Sequence, residues 1–358
     1  MPTLGQGRVL RFGMLRFALS LLLAVFALSI IASGLRTAGA AEPSPQETDF
    51  SAILQSAGSD ENLARLRAIV VARNGSIVAE RGYRGHAAAD SANIKSASKS
   101  IISALVGIAI DKGLLEGVDQ PIAPILHAEL PDDPDPRLER VTIGHLLSMQ
   151  AGLERTSGGN YGRWVASRNW VRAALAMPFV DEPGGAMLYS TGSTHLLSAI
   201  LTKVGGKSTL ALARDWLGPL EDFRIGAWDR DPQGIYLGGN QMAMSARSLL
   251  AFGELYRRGG RTPDGTQLVS EEWVRQSWQV RTNSRFSNDG YGYGWFERMI
   301  GGKTVHFAWG FGGQMLYIVP ELGLTVAMTS DESGPSARNG YRDDLHGVLA
   351  KIIGTVES

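Results

Sequence analysis

Residues 94–113 read Ile-Lys-Ser-Ala-Ser-Lys-Ser-Ile-Ile-Ser-Ala-Leu-Val-Gly-Ile-Ala-Ile-Asp-Lys-Gly. From Ser96 to Lys112 the apolar residues Ile101, Ile102, Leu105, Val106, Ile108 and Ala109 recur at three- and four-residue spacings before Gly113, which predicts a helix. It is apolar on most faces and is expected to be buried. Ser96 and Lys99 stand at i and i+3, one above the other on the same face, so the amine can reach the hydroxyl. Ser96 falls at the helix start, where unpaired N–H groups and the positive end of the dipole favour a developing negative charge. A serine nucleophile activated by lysine needs both features. An N-cap serine followed by a solvated first-turn lysine gives the same four residues, so the rest of the chain has to decide.

Upstream, Arg67 to Glu80 shows two β-branched runs split by Asn74-Gly75, a strong hairpin signal. Downstream, turns rich in Pro, Asp and Gly alternate with helical stretches at Thr142–Met149, Arg163–Ala176, Thr194–Val204 and Ser245–Arg258. Strand periodicity returns at Tyr293–Arg298, Thr304–Ala308, Gln314–Val319 and Leu324–Ser330, and a helix from Arg342 to Ile353 closes the chain. Strands at both ends with helices between predict an α+β fold. One antiparallel sheet, from about 63–115 and 285–355, would carry an inserted helical domain over about 116–284. Together they make a domain over 63–355.

The N-terminus differs in kind. Arg8, Arg11 and Arg16 precede an apolar run from Phe17 to Ala32, and the small residues Ala38-Gly39-Ala40 come before Ala41-Glu42-Pro43. That is the layout of a signal peptide over residues 1–40, followed by a polar lead-in over 41–62; an uncleaved anchor helix is the competing reading. The expected localisation is outside the cytoplasm, periplasmic or secreted.

Bulk composition narrows the function classes. Lys+Arg and Asp+Glu are both 35, so no summed field favours nucleic acid or an acidic membrane surface. Membrane contact is expected only through an uncleaved N-terminal segment. The absence of cysteine excludes disulfides, thiol nucleophiles and thiolate-held zinc. The six histidines are scattered without an H-E-x-x-H, so no metal or other cofactor is expected. His145 and His195 lie in helical apolar contexts and read as structural; His306 has no assigned partner. G-x-S-x-G is absent, which disfavours an α/β-hydrolase elbow.

Three stretches carry a family resemblance: residues 94–100 with the helix running to Gly113, residues 142–153 (Thr142-Ile143-Gly144-His145-Leu146-Leu147-Ser148-Met149-Gln150-Ala151-Gly152-Leu153), and Tyr189-Ser190-Thr191 with His306 to Gln314 further on. The chain resembles the serine β-lactamase and penicillin-binding protein superfamily over roughly 65–350. The likeness is greatest to class C-like esterases and 6-aminohexanoate-dimer hydrolase relatives. The resemblance implies that Tyr189 bonds Lys99 and the Ser96 hydroxyl, and that either Lys99 or Tyr189 takes the serine proton. It implies that Ala308-Trp309-Gly310 lies on the strand beside the nucleophile, and that the backbone N–H groups of Ser96 and Phe311 form an oxyanion hole. It places Thr191, Trp309 and Gly310 among substrate-contacting residues. Tyr161, near Trp164 and Trp170, is expected either to wall the acyl pocket or to be a core aromatic.

Two departures steer the substrate. Thr191 stands where the family carries Asn, and Ala308 where it carries a cation; each removes a contact to a β-lactam. The expected reaction is therefore hydrolysis of an uncharged small-molecule ester or amide through a Ser96 acyl-enzyme. A β-lactamase or DD-peptidase is the alternative within the superfamily, and a non-catalytic binding module of the same fold the alternative outside enzymology. Expressed with its own N-terminus in a secreting bacterium, the protein should be recovered beginning near Ala41 by N-terminal sequencing. An intact N-terminus in the membrane fraction would identify an anchor instead.

Overall fold

Asn74 and Gly75 adopt φ of +52° and +94°, the left-handed backbone that a two-residue hairpin turn needs, and so join β1 (Leu66–Arg73) to β2 (Ser76–Gly82). The computed structural model describes residues 45–337 and 339–357. The predicted signal peptide therefore lies outside the described residues.

Three short strands, β3 (Ser91–Asn93), β4 (Ala227–Trp228) and β5 (Met242–Ser245), make a small sheet with β5 in the middle. The C-terminal part supplies β6 (Thr282–Asn283), β7 (Gly290–Tyr291), β8 (Phe296–Ile300), β9 (Lys303–Gly310), β10 (Gln314–Val319) and β11 (Leu324–Ser330). These six join the first hairpin in an eight-stranded antiparallel sheet of order β2-β1-β11-β10-β9-β8-β7-β6. The chain thus closes its N-terminal hairpin against its last strand, with Val70 opposite Ala327. This is the α+β architecture expected from the sequence.

Strand alternation sorts the core into two halves. Ala68, Val70, Ala72, Leu316, Ile318 and Ala327 face one half; Ile69, Val71, Met315, Tyr317, Val326 and Met328 face the other. The outer half is covered by α1 (Pro45–Ser59) and the last helix, Tyr341–Glu357, through Phe50, Leu54, Leu345, Leu349 and Ile352. On the inner half lie α2 (Ser98–Asp111) and the helix Ala246–Arg257. The second comes so close that a Cβ on Gly253 would meet Leu316 Cδ1 at 2.6 Å. Small residues on that face of the sheet permit the approach.

Several boundaries differ from those expected. The polar lead-in over 41–62 contains α1, because Phe50, Leu54 and Ala57 recur at i, i+4 and i+7 and bury one stripe of an otherwise polar helix. The stretch Arg163–Ala176 divides into two short helices, Tyr161–Val165 and Trp170–Leu175. Asn169 caps the second, and the indoles of Trp164 and Trp170 donate to the carbonyls of Trp170 and Val165 at the break. The helices Thr209–Leu217 and Glu271–Trp278 and the small sheet had no clear signal in the sequence.

Phe50 is fully buried between α1 and the sheet. Phe50→Ala should therefore lower unfolding stability by about 3–4 kcal/mol in urea or thermal denaturation, the cost of an emptied aromatic site. A parent-like stability would show that α1 contributes nothing to the fold.

Candidate active site

Ser96 does not begin the α-helix: Lys95–Ala97 form a 3₁₀ turn that runs directly into α2 at Ser98. In 3₁₀ geometry residues i and i+3 eclipse, which brings Ser96 and Lys99 closer to register than an ideal α-helix would. Lys99 Nζ is 3.1 Å from Ser96 Oγ and donates to the carbonyl of Gly239 at 2.7 Å. Ser96 is partly exposed, whereas Lys99 is only 2% exposed.

That burial sets the chemistry of the amine. Desolvation disfavours the ammonium and brings the Lys99 pKa down from the usual lysine range to about 7. Tyr189 moves the other way: burial raises its phenol above the ordinary tyrosine value, and its hydrogen bond to Ser96 only partly offsets this. Lys99 Nζ lies 5.0 Å from the centroid of the Tyr189 ring. Ser96, Lys99 and Tyr189 are thus brought together, from the start of α2 and from a loop more than eighty residues later in the chain.

The loop carrying Tyr189 is tied down residue by residue. Met149, at φ +64°, accepts the Leu188 N–H on its carbonyl and the Ser190 N–H on its sulfur. Gln150 Nε2 donates to the carbonyls of Gly184 and Gly185, and Asp181 caps the Ala186 amide. The Tyr189 ring stacks on Phe296 at 5.9 Å and meets Tyr291 edge-on at 6.0 Å. From the sheet side, Ser100 and Ser103 of α2 donate to the carbonyls of Gly294 and Tyr293 at 2.6 and 2.7 Å. The sheet side therefore grips the helix that holds the lysine, while the Tyr189 loop is fixed by its own anchors.

The remaining predicted residues take varied places. Gly310 ends β9 against the Ile94–Ser96 segment, where a Cβ would lie 2.2 Å from the Ile94 carbonyl, so only glycine permits this approach. Phe311 follows in the turn to β10 with its ring 49% exposed. Trp309 donates to Ser336 Oγ at 3.1 Å, and the Arg342 guanidinium lies 4.7 Å over its ring. Thr191, the first residue of α3 (Thr191–Gly205), is buried, with its hydroxyl 3.0 Å from Ser157 Oγ. The Tyr161 hydroxyl accepts from Asn240 at 2.9 Å. Trp164 and Trp170 pack in the core against His195. His306 stacks on Trp278 at 4.2 Å, and burial holds its pKa down to about 4.

Three groups at the site escaped the sequence reading. Gly239, at φ +77°, accepts from Lys99 and approaches its side chain so closely that a Cβ would meet Lys99 Cγ at 2.6 Å. Lys95, at φ +50°, pairs with Glu332 at 2.5 Å and donates to Gln241 at 3.1 Å. His195 pairs with Asp231. The Gly238-Gly239-Asn240 run signals a turn, but nothing in it announces a partner for lysine.

Comparison with known proteins identifies the family and the fold. Residues 64–351 match the Beta-lactamase family, and the chain belongs to it, within the serine β-lactamase and penicillin-binding protein superfamily of hydrolases. Among solved structures, a penicillin-binding protein homologue from Pyrococcus abyssi, described as octameric, superposes with a TM-score of 0.66 at 20% identity. It covers 86% of this chain and 77% of that one. EstCE1, described as a hydrolase with promiscuous acyltransferase activity, gives 0.68 at 17% identity over 88% and 100% of the two chains. A D-stereospecific amidohydrolase from Streptomyces gives 0.62 at 16% over 84% and 98%. At these identities the structural likeness establishes the fold.

A buried amine held neutral also has a consequence for stability. The unfolded chain binds a proton at Lys99 below its ordinary pKa and the folded chain only below about 7, so stability falls as pH drops from about 10.5 to about 7 and the effect levels off below that. Lys99→Met should accordingly stabilise the fold near neutral pH, by about 1–3 kcal/mol, with the gain shrinking towards pH 10. Urea titrations of parent and variant at pH 7 and pH 10 measure this directly. A variant less stable at both values would contradict a desolvated amine.

Proposed function

We propose that the protein is a serine hydrolase that cleaves an uncharged small-molecule ester or amide through an acyl-enzyme on Ser96. The observation that carries this reading is the buried Lys99 amine, with its pKa near 7, placed 3.1 Å from a partly exposed serine hydroxyl. A base with a pKa near the working pH is unprotonated often enough to accept a proton and basic enough to hold it. Of the two candidate bases Lys99 fits this role. Tyr189, its phenol shifted upward, stays protonated and orients Ser96 Oγ.

In the first half-reaction Ser96 Oγ attacks the carbonyl carbon as its proton passes to Lys99 Nζ. The tetrahedral oxyanion is received by the amides of Ser96 and Phe311. It collapses with loss of the alcohol or amine, which takes the proton from Lys99. A water molecule then attacks the acyl carbon, gives its proton to Lys99, and the acid leaves as Ser96 is restored. Gly310, against the Ile94 carbonyl, is what lets the end of β9 come close enough to the serine for Phe311 to serve.

A β-lactamase or DD-peptidase is the second reading, favoured by family membership. The residues at two positions weigh against it: Ala308 is buried and carries no charge, and the Thr191 hydroxyl is engaged by Ser157. We also propose that the enzyme acts outside the cytoplasm after removal of its N-terminal segment, a reading supported by the basic residues Arg8, Arg11 and Arg16 ahead of the apolar run Phe17 to Ala32.

With a short-chain p-nitrophenyl ester, kcat/KM should rise with pH to a plateau with an inflection near 7, as Lys99 loses its proton. Ser96→Ala should lower it by about 10⁴-fold or more, and intact mass should show an acyl adduct on the parent only. Parent-rate turnover by Ser96→Ala would refute the assignment. Faster turnover of a chromogenic cephalosporin than of any ester in the panel would establish the second reading.

A further inference from the structure

His195 and Asp231 form a fully buried pair one layer behind Lys99, and acyl transfer as described above uses neither. His195 Nε2 is 3.0 Å from Asp231 Oδ2, and both side chains are 0% exposed. Asp231 Oδ1 accepts the amides of Gln233 and Ile235, each at 2.8 Å. On its other edge His195 Nδ1 accepts the Gly238 amide at 3.4 Å. Trp164 and Trp170 stand edge-on to the imidazole at 5.6 and 5.7 Å and fix its plane.

The hydrogen-bond pattern determines the tautomer. A backbone amide can only donate, so Nδ1 must be bare and the ring proton must sit on Nε2, facing Asp231. The carboxylate therefore selects the form of the ring that can hold Gly238. The next residue, Gly239, presents its carbonyl to Lys99 Nζ, and Asn240 is anchored to Tyr161. A Cβ on Gly238 would lie 2.1 Å from the Thr194 carbonyl, so the loop is pressed against α3 with no slack. A buried carboxylate seldom repays its desolvation by stability alone, and a well-packed apolar pair would serve packing at least as well. Two directed bonds on opposite edges of one ring are what an apolar pair lacks.

We propose that His195 and Asp231 are positioning residues for the reaction. They set the Gly238–Asn240 loop so that the Gly239 carbonyl aims the Lys99 amine at Ser96. The inference rests on the reading of Ser96 and Lys99 as the acyl-transfer pair.

Asp231→Asn tests it. The Asn oxygen stays with the two backbone amides that Oδ1 now accepts, so its NH₂ faces His195. The ring must then carry its proton on Nδ1, against the Gly238 N–H. The expected result is a fall in kcat for a p-nitrophenyl ester of about 10- to 100-fold with KM within about twofold, and faster hydrogen exchange at the Gly238 amide. Adding His195→Asn places an amide oxygen near the former Nδ1 position, offers Gly238 an acceptor again, and should recover part of the lost kcat. A merely structural pair predicts no recovery, and that result overturns the proposal, as does a folded Asp231→Asn with parent kcat and parent exchange. Should Asp231→Asn not fold, the double variant, which buries no charge, decides: kcat within about tenfold of the parent supports the dyad, and a larger loss overturns it. Ser96→Ala run beside these separates the two claims. Turnover surviving it refutes the reading of the site, while exchange at Gly238 reports on the dyad whether or not ester is hydrolysed.

Discussion

An amine that must be dry and yet touch a hydroxyl open to solvent is the constraint around which this fold is arranged. Moving an ammonium into a low-dielectric interior costs several kcal/mol, and burial accordingly brings the Lys99 pKa down to about 7, so that the amine sheds its proton just above neutrality. Neutrality is useful only if the lone pair faces Ser96, so the amine also needs an acceptor for its own hydrogens. The Gly239 carbonyl is that acceptor. The 3₁₀ turn at Lys95–Ala97 performs the other half of the task, lifting Ser96 into the partly exposed layer while Lys99 stays in the buried first turn of α2.

The surroundings hold this geometry against backbone strain. Lys95 and Gln241, neither of them glycine, both take left-handed φ, at roughly 1–2 kcal/mol each. They face one another across the rim. Asn93 accepts the Lys95 amide and donates to Gln241 Oε1, which Lys95 Nζ reaches as well. Side-chain bonds thus lock two unfavourable backbones together, one immediately before Ser96 and the other two residues after Gly239. Strain at these positions fixes the start of the 3₁₀ turn and the exit of the glycine loop at once.

Much of this was legible in the sequence, and what was legible shares a physical character. The hairpin at Asn74-Gly75 and the strands Gln314–Val319 and Leu324–Ser330 are local signals, and the structure places the last two at the predicted residues. Ser96, Lys99 and Tyr189 were readable through resemblance, since their meaning lies in a motif. Helix α1 was missed because its polar and small residues leave a composition that looks like linker, although the spacing of Phe50, Leu54 and Ala57 buries them. Gly239 and the His195–Asp231 pair were missed for a different reason: each is defined by a partner 140 or 36 residues away, and neither spacing nor periodicity encodes that distance. The aromatics at 164 and 170 could be read either way from sequence, and the structure gives them to the core around His195.

The same long-range pairing governs the charge a substrate meets along β9. Ala308, buried and neutral, stands where the family resemblance implies a cation, so a carboxylate would have to find another partner nearby. Arg342 is close in space, but it lies over the Trp309 ring and bonds Asp289, itself almost wholly buried. Lys95 is committed to Glu332, and burial brings the Lys99 pKa down to about 7, so that its charge is lost above that pH. Among the described residues, these three cations beside Ile94–Lys99 and Trp309 are therefore either paired or, for Lys99, discharged above about pH 7. A carboxylate brought against these groups would find no unpaired cation among them and would lose its water uncompensated, a penalty an uncharged ester or amide does not incur.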